Sequence, residues 1–332
     1  MIGMDPNGVR VLAVSGCGEL ISFELSPTSG ELRARGAVET GGEEPSFAAL
    51  HPGGRLAYVV NEGSDTVAVI DIEAMMLLSV QPSAGAGPAY VSLLPNAQGL
   101  CVANYGGGTV AVFTLNAAGT ELTRRHVLEL GPNPHAALTD PNDRFLIVPA
   151  LGADAVFVTR LEQVEPFESR RFLLGKGSGP RHLAFDPLRS RAYVVCEHTS
   201  ELAALDWIAS EGAFVERSRV SMLPPGAALG ANTGADVHVH PNGHFVYASN
   251  RGHDSIAVFA VDGERPVPIG YEPTRGCVPR NFALSPGGDQ LIVANLESDS
   301  IAAYAVDAAS GALEPRALNQ GIARPFWVGF VP

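Results

Sequence analysis

The chain of 332 residues carries a formal net charge of −13, which argues against nucleic acid and anionic membrane surfaces as partners. It contains no apolar run of about 18 residues, so no segment is expected to span a membrane. Four cysteines without paired spacing, and a start without a basic and apolar leader, favour a reducing compartment. We therefore expect a cytoplasmic protein.

A regular period runs through the whole chain. Seven times a proline closes a short apolar strand, at Pro6, Pro52, Pro95, Pro141, Pro187, Pro241 and Pro286. Successive prolines of this series are 46, 43, 46, 46, 54 and 45 residues apart. A period of this length is typical of solenoids, propellers and other repeat arrays.

The two ends of the chain decide between these architectures. Residues 325–332 have the pattern of the strand that opens a repeat, whereas residues 5–14 have the pattern that follows such a strand. One repeat is therefore split between the ends, as in a closed ring. We predict an all-β fold, a seven-bladed β-propeller closed by pairing of the N- and C-terminal strands. We expect one domain over residues 1–332 and a monomer, because ring closure leaves few free strand edges.

The repeat around Pro241 illustrates the predicted order of elements. Its inner strand, turn, second strand, loop and third strand are predicted at 235–240, 241–244, 245–249, 250–254 and 255–261. A weaker fourth strand follows the Asp-Gly turn at 262–263. An aspartate that recurs thirteen residues after an anchoring proline predicts a hydrogen-bonded turn at Asp65, Asp154, Asp254 and Asp299.

Repetition separates structural positions from functional ones, because a residue shared by most repeats builds the blade. Two positions are expected at the end of each blade where the central channel opens, six residues before the proline and ten residues after it. The first column reads Ser46, Ala89, His135, Arg181, Ala235, Arg280 and Phe326. The second column reads Gly16, Glu62, Tyr105, Leu151, Glu197, Arg251 and Leu296.

The polar members of these columns that come from four consecutive repeats should converge on one side of the channel mouth. They are His135, Arg181, Glu197, Arg251 and Arg280. Arginine offers a planar charged group to carboxylate or phosphate, and histidine or a partly desolvated glutamate carries protons near neutral pH. An ion pair of Glu197 with Arg181 or Arg251 that only bridges two blades is the structural alternative.

Other motifs point less clearly to chemistry. His238 and His240 have the spacing of two zinc ligands on one strand face, but only Asp236 adds to them and His240 falls at a turn position. We therefore predict no metal site and no cofactor. The glycine-rich segment 175–179 lacks the spacing of a phosphate loop and is interpreted as a connection. The glycines after Tyr105 allow either close approach of a ligand or a tight loop, and the absence of Gly-x-Ser-x-Gly argues against a serine hydrolase.

Four segments carry a family resemblance: Ala103-Asn-Tyr-Gly-Gly-Gly-Thr-Val-Ala-Val-Phe113, Gly179-Pro-Arg-His-Leu-Ala-Phe185, Tyr247-Ala-Ser-Asn-Arg-Gly-His-Asp-Ser-Ile-Ala-Val-Phe259 and Pro279-Arg-Asn-Phe-Ala-Leu284. They resemble the bacterial seven-bladed lactonase family, which includes propeller-type 6-phosphogluconolactonases and is similar to the fungal carboxymuconate lactonizing enzymes. The resemblance implies a cytoplasmic enzyme that acts on a sugar lactone or a lactone-forming acid without a metal. The active-site residues proposed for the family fall here on His135, Arg181, Glu197 and Arg251.

We predict a second set of residues as substrate-binding: Arg280, His182, Asn250, Tyr105 and Asp236. The chain also departs from the family pattern at three places that are expected to border the mouth. One is the segment Asp186-Pro-Leu-Arg-Ser190, which replaces the usual Pro-Asp-Gly turn. Ala150 stands where members often carry Asp or His, and His198 follows Glu197 where Leu is usual. These departures leave the identity of the substrate open.

The sequence thus predicts a lactone hydrolase of the 6-phosphogluconolactonase type, with a small anionic lactone or carboxylate as its partner. Arg181 and Arg251 are expected to hold the anionic group or the developing oxyanion. Either Glu197 or His135 activates water or protonates the leaving alkoxide. A muconate-type lactonizing cycloisomerase is one alternative, and a non-catalytic propeller that serves as a binding platform is another. The platform predicts exposed aromatic or apolar patches, which an aromatic content of 7% does not favour.

Overall fold

The computed structural model describes residues 8–161, 168–227, 230 and 232–332. The strands form seven antiparallel sheets of four strands each, so the predicted all-β, seven-bladed propeller is confirmed. The first anchoring proline, Pro6, lies outside the described residues. Within the described ranges, no helix is long and apolar enough to cross a membrane.

Blade 1 joins the two ends of the chain. Counted outward from the channel, it consists of β28 (Pro325–Phe330), β1 (Val9–Ser15), β2 (Glu19–Leu25) and β3 (Leu32–Glu39). Val11 pairs with Phe330 and Val14 with Trp327. The predicted closure of the ring by the N- and C-terminal strands is therefore confirmed.

Each of the other blades uses four consecutive strands, again counted outward from the channel. Blade 2 contains β4 (Pro45–Leu50), β5 (Leu56–Asn61), β6 (Thr66–Asp71) and β7 (Met76–Pro82). Blade 3 contains β8 (Pro88–Leu93), β9 (Gly99–Asn104), β10 (Thr109–Leu115) and β11 (Leu122–Glu129). Blade 4 contains β12 (Leu138–Thr139), β13 (Phe145–Ala150), β14 (Ala155–Arg160) and β15 (Ser169–Leu173).

The remaining three blades supply most of the charged residues of the predicted site. Blade 5 contains β16 (Pro180–Phe185), β17 (Arg191–Cys196), β18 (Glu201–Ile208) and β19 (Ala213–Ser221). Blade 6 contains β20 (Thr233–Val239), β21 (Phe245–Arg251), β22 (Ser255–Ala260) and β23 (Val267–Pro273). Blade 7 contains β24 (Pro279–Leu284), β25 (Gln290–Asn295), β26 (Ser300–Val306) and β27 (Leu313–Gln320).

The hydrophobic core lies between the blades. Seven clusters of buried apolar side chains each combine residues of two neighbouring blades. All six residues of β5 are buried, whereas the outer strand β7 has no buried residue. Because both faces of a blade pack against neighbours, its second strand is a continuous apolar run in the sequence instead of an alternating one.

Each of the four recurrent aspartates forms a hydrogen bond from its own blade to the start of the next blade. Asp65, Asp154, Asp254 and Asp299 all have left-handed backbone conformations, with φ between 48° and 56°. Oδ1 of Asp65 accepts a hydrogen bond from the N–H of Gly87 at 2.7 Å, and Oδ1 of Asp254 accepts one from Val278 at 2.9 Å. Both donors directly precede the inner strand of the following blade, so the predicted hydrogen-bonded turn is confirmed and also fixes where the next blade begins.

Candidate active site

The mouth of the channel forms where the inner strands begin. In β16, β20 and β24 the pairing register shifts just after the first residue or two, which marks a β-bulge. A bulge redirects a side chain relative to the regular alternation of a strand. Arg181 and the next residue, His182, accordingly contact different groups, Glu197 at the mouth and Asp236 inside the channel.

Glu197 holds two arginines that come from neighbouring blades. Its Oε2 lies 3.1 Å from Nε of Arg181 and 2.8 Å from Nη2 of Arg251. Arg181 also donates from Nη1 to the carbonyl of Ala235 at 2.6 Å, and Arg251 donates from Nη2 to the carbonyl of Gly234 at 2.9 Å. The structure therefore brings these three predicted residues together, and both ion pairs of the structural alternative are formed.

Arg181 is a buried positive charge beneath the mouth. Its side chain is 2% exposed. Burial, together with the positive charges of Arg251 and Arg280, lowers the pKa of Arg181 to about 9, which leaves it protonated at neutral pH. A charge that is held in place and shielded from water acts on a bound anion more strongly than the same charge in solvent.

Arg280 adds a third positive charge from blade 7. Its Nη2 lies 4.0 Å from Oε2 of Glu62, and its guanidinium lies 5.0 Å from the ring centre of Phe326. The ion pair is at the outer limit for such a contact, so Arg280 is the mouth arginine least engaged by a protein carboxylate. Glu62 belongs to the second sequence column. It was not predicted as a site residue because its repeat is not one of the four consecutive repeats that supply the predicted cluster.

His135 and Tyr105 form the part of the mouth that blades 3 and 4 supply. Their ring centres lie 5.3 Å apart in an edge-to-face contact. Burial holds the pKa of His135 well below its usual value, and the nearby Arg181, His182 and Arg280 lower it further. His135 is therefore neutral near pH 7 and can accept a proton there.

Just inside the mouth, side chains from six blades meet across the channel in a layer that we call the plug. Its members are Phe47, Tyr90, His182, Asp236, Asn281 and Trp327. Phe47 stacks on Tyr90 at 4.2 Å between ring centres. Asp236 lies 2.7 Å from Nδ1 of His182 and accepts a hydrogen bond from Asn281 at 2.6 Å. The plug therefore has an aromatic half and a polar half.

The plug separates the mouth from the other end of the channel. A cavity of about 220 Å³ is lined by the plug and by further residues of the inner strands, among them Ala184, His238, Ala283 and Gly329. None of the mouth arginines, nor His135, Tyr105, Glu62 or Glu197, lines this cavity. Two of the predicted substrate-binding residues, His182 and Asp236, thus lie beneath the mouth and not on its surface.

Family comparison agrees with this architecture. The seven-bladed β-propeller lactonase family matches residues 10–330. The chain belongs to this family. The 6-phosphogluconolactonase of Bacillus subtilis is 32% identical over 209 residues, which cover 62% of this chain and 59% of the relative. That of Serratia proteamaculans is 30% identical over 203 residues, which cover 60% and 61%. The chain thus aligns with about three fifths of the length of these curated relatives.

Solved structures of similar proteins superpose on almost the whole lactonase-family fold. A protein from Lactobacillus plantarum has a TM-score of 0.89 at 27% identity, over 98% of this chain and 100% of its own. The periplasmic gluconolactonase PpgL of Pseudomonas aeruginosa has a TM-score of 0.87 at 27% identity, over 98% and 99%.

Asn250 is a third predicted substrate-binding residue that the structure does not bring to the surface of the mouth. It is fully buried, and its Nδ2 donates to the carbonyl of Met222 at 2.7 Å and to Oγ of Ser255 at 3.3 Å. Asparagines at the same repeat position also donate to a carbonyl of the preceding loop: Asn61, Asn104 and Asn295. We therefore assign Asn250 a structural role, which its recurrence in the sequence already indicated.

Two of the three departures from the lactonase pattern lie in different surroundings. Ala150 occupies the repeat position of these asparagines and is fully buried, so it belongs to the blade and not to the mouth lining. His198 is exposed beside Glu197. Of the two, only His198 is open to solvent.

The zinc-like spacing around His240 serves hydrogen bonding. Nε2 of His240 lies 3.0 Å from the carbonyl of Gly288, and its Nδ1 accepts a hydrogen bond from the N–H of Asn242 at 3.1 Å. His238 contacts Asp236 at 3.3 Å. Among the described residues, no group of three or more His, Cys, Asp and Glu side chains has an arrangement that holds a metal ion.

The glycines after Tyr105 are explained by packing between blades. A Cβ atom on Gly107 would lie 2.8 Å from the backbone nitrogen of Ala86, and one on Gly106 would lie 3.2 Å from the Ala86 carbonyl oxygen. The tight-loop interpretation of this segment therefore suffices.

Proposed function

We propose that this chain is a lactone hydrolase that acts on an anionic sugar lactone, with 6-phosphogluconolactone as the first substrate to test. The observation that carries the proposal is the positive mouth, where three arginines, Arg181, Arg251 and Arg280, form ion pairs with two carboxylates of the described residues, Glu197 and Glu62. The whole chain carries a net charge of −13, so the excess of positive charge at the mouth is opposite in sign to the charge of the protein as a whole. An anionic substrate is the ligand that such a site attracts most strongly.

The names of the relatives support the same class of substrate. Two curated relatives are named 6-phosphogluconolactonase, and one structural neighbour is named a gluconolactonase. Gluconolactone is neutral, whereas 6-phosphogluconolactone carries a phosphate, so the two differ in what they require of the mouth. Arg280 is the group that we expect to make this difference, because it has the weakest contact with a protein carboxylate.

The contacts suggest a division of roles among the mouth residues. Glu197 is paired with both Arg181 and Arg251 through one oxygen, which fixes the arginines and occupies that oxygen. Arg251 and the buried Arg181 then stabilise the oxyanion that forms when water attacks the lactone carbonyl. His135, which is neutral, takes the proton from that water. This assignment favours His135 over Glu197 as the base.

Hydrolysis of a panel of lactones tests the proposal. Wild type is expected to hydrolyse 6-phosphogluconolactone well above the spontaneous rate. Arg280→Gln is expected to raise KM for the phosphorylated lactone about tenfold or more and to change KM for gluconolactone little. Arg324→Gln is the matched control, because Arg324 stacks on the same Phe326 ring at 5.3 Å and is exposed. A wild-type rate equal to the spontaneous rate across the panel contradicts the hydrolase.

The same mouth suits a dicarboxylate, so a muconate-type cycloisomerase is the alternative outcome of this panel. Loss of ultraviolet absorbance from a carboxylated diene, without lactone hydrolysis, identifies it. The platform alternative receives less support, because none of the large exposed apolar side chains of the described residues is aromatic, and aromatic residues are the usual anchors of a binding surface. A cytoplasmic location, a monomeric state and a single domain remain predictions, and fractionation and light scattering test the first two.

A further inference from the structure

Two buried histidine nitrogens at the boundary of mouth and plug lack a hydrogen-bond partner among the described residues. They are Nδ1 of His135 and Nε2 of His182. The two rings are neighbours, with centres 5.2 Å apart in an edge-to-face arrangement. Their side chains are about nine-tenths buried or more, at 6% and 5% exposure. Buried polar atoms without partners are rare and require an explanation.

Asp236 fixes which nitrogen of His182 carries the proton. Oδ1 of Asp236 lies 2.7 Å from Nδ1 of His182 and also accepts a hydrogen bond from the N–H of Val237. Its Oδ2 accepts from Nδ2 of Asn281 at 2.6 Å and contacts His238 at 3.3 Å. An ionised carboxylate only accepts hydrogen bonds, so Nδ1 of His182 must be the donor. Nε2 of a neutral His182 is then left with a lone pair.

We propose that Asp236, His182 and His135 form one hydrogen-bonded series, in which Asp236 and His182 position His135 as the acid–base group of the mouth. Nδ1–H of His135 donates to one bridging water molecule, which in turn donates to Nε2 of His182. Both orphaned nitrogens are then satisfied by a single choice of tautomers. Nε2 of His135 is left unprotonated, so it is the basic nitrogen available to the substrate site. His182 and Asp236 are positioning residues in this series, since they act through His135.

The series deepens the proposed lactone hydrolysis and rests on it for its chemical role. Nε2 of His135 takes a proton from water as the water oxygen bonds to the lactone carbonyl carbon, and the carbonyl π electrons move to oxygen. When the tetrahedral intermediate collapses, the ring C–O bond breaks and the proton passes from Nε2 of His135 to the leaving alkoxide. The carbonyl re-forms as this bond breaks, and the product is a single open-chain hydroxy acid, whose carboxyl group ionises to solvent. The transient positive charge on His135 is spread toward His182 and Asp236.

The surroundings oppose a resting charge on either histidine. Arg181, Arg280 and Tyr105 lie around His135, while Arg181, His238 and the aromatic rings of Tyr90 and Phe47 lie around His182. Burial lowers the pKa of both histidines, and that of His182 falls to about 4. Burial alone would raise the pKa of Asp236, but His238 and His182 outweigh this effect and hold it well below its usual value. At neutral pH His135 and His182 are therefore uncharged and Asp236 is ionised.

Two substitutions of His182 separate positioning from simple support of Asp236. In His182→Asn the amide nitrogen takes the place of Nδ1 and keeps the donor to Asp236, but nothing replaces Nε2. In His182→Gln the amide oxygen reaches the place of Nε2 and keeps the acceptor for His135, but the donor to Asp236 is lost. We expect His182→Asn to melt near wild type with kcat for the lactone lowered about 10- to 100-fold and KM little changed. We expect His182→Gln to melt at a lower temperature and retain the higher kcat of the two.

The tautomers are measured without any substrate, by long-range 1H–15N correlation spectra of the histidine rings. The expected spectrum has Nδ1 protonated in both His135 and His182, and His135 loses this preference in His182→Asn but not in His182→Gln. His244→Gln is the control and should leave both the spectrum and kcat unchanged, because His244 is exposed in the turn between β20 and β21 and pairs with Asp262, outside the series. Protonation of His135 at Nε2 in wild type, or unchanged kcat in His182→Asn, overturns the series. If no lactone is hydrolysed but the tautomers are as expected, the series stands and the proposed reaction fails.

Discussion

The two halves of the plug occupy equivalent positions in the repeat, yet they contain opposite kinds of side chain. Blades 1 to 3 supply the aromatic residues Trp327, Phe47 and Tyr90. Blades 5 to 7 supply the hydrogen-bonding residues His182, Asp236 and Asn281. All seven blades have four antiparallel strands, so the propeller itself sets no chemical preference at this position. The aromatic half excludes water, and in the resulting low dielectric the interactions of the polar half are stronger than they would be in solvent.

The same contrast holds one residue earlier, at the mouth. Blades 5 and 7 carry Arg181 and Arg280 there, whereas blade 1 carries Phe326. The guanidinium of Arg280 lies over the Phe326 ring, so the two halves meet in a cation–π contact. The role of a residue in this fold therefore depends on which blades supply it. Substitutions confined to blades 1 to 3, or to blades 5 to 7, test this dependence.

The largest change removes part of the aromatic half and the ring closure together. Deleting residues 325–332 eliminates β28 and strips Trp327, Val328 and Phe330 from the interior. Each large apolar side chain contributes about 1.5–3 kcal/mol when buried, and total stabilities are about 5–15 kcal/mol. The truncated chain is expected to be unfolded or aggregated, as measured by its melting transition. Deleting only the exposed Pro332 is the control, and a soluble truncated monomer that melts near wild type means that the ring is not closed by this strand.

A single aromatic substitution weakens the same half without opening the ring. Phe47→Ala removes the stack on Tyr90 and the edge contacts with His182 and Trp327. The free energy of unfolding is expected to fall by about 3 kcal/mol, and denaturant titration measures it. Phe172→Ala is a matched change on the outer strand β15, where the Phe172 ring lies 6.1 Å from that of Phe214, and it should cost less stability. Equal losses of unfolding free energy in the two variants would contradict a larger contribution of the aromatic half to stability.

Lowering the pH tests the contribution of the polar half of the plug to stability. In the folded protein the pKa of His182 is lowered from 6.5 to about 4 by burial and by Arg181, whereas unfolded His182 takes up a proton near pH 6.5. Between these values the unfolded state binds more protons, so stability decreases as the pH falls. The shift corresponds to a loss of about 3 kcal/mol, and loss of the ionised form of Asp236 acts in the same direction at still lower pH. Melting temperatures from pH 7 to pH 4 should therefore decline more steeply in wild type than in His182→Asn, and parallel declines contradict this origin.

The smallest expected effect concerns a hydroxyl group. Tyr90→Phe keeps the ring that stacks on Phe47 and contacts His182 at 5.3 Å. Stability is expected to change by less than about 1 kcal/mol, because the ring provides the contacts in this half. A larger loss in denaturant titration shows that the hydroxyl has a hydrogen-bonding role toward the cavity.

The fold could be predicted in full from the sequence because its signal is repeated seven times. The spacing of the prolines and the split repeat at residues 325–332 determined both the blade count and the closure. The convergence of Arg181, Glu197 and Arg251 was predictable for the same reason, since equal positions in a repeat occupy equal positions on a ring.

The pairing within the site could not be predicted from the pattern. A column gives the height of a side chain along the channel but not its direction, and the bulges of β16, β20 and β24 separate adjacent residues such as Arg181 and His182. The joint pairing of Glu197 with two arginines depends on distances across the ring, as does the contact of Asp236 with His182. Asn250 differs from these residues, because its recurrence with Asn61, Asn104 and Asn295 was visible in the sequence and already indicated a structural hydrogen bond.

The closing blade also has a consequence for the order of folding. In blades 2 to 7, each strand pairs only with strands nearby in the sequence, so these sheets can form from local encounters. In blade 1, Oγ of Ser15 donates to the carbonyl of Ala323, 308 positions away. Contacts between such distant parts of the chain form slowly, because the loop between them must first be ordered. Trp327 is contributed by that strand, so the channel layer that holds His182 and Asp236 is completed only in the final stage of folding.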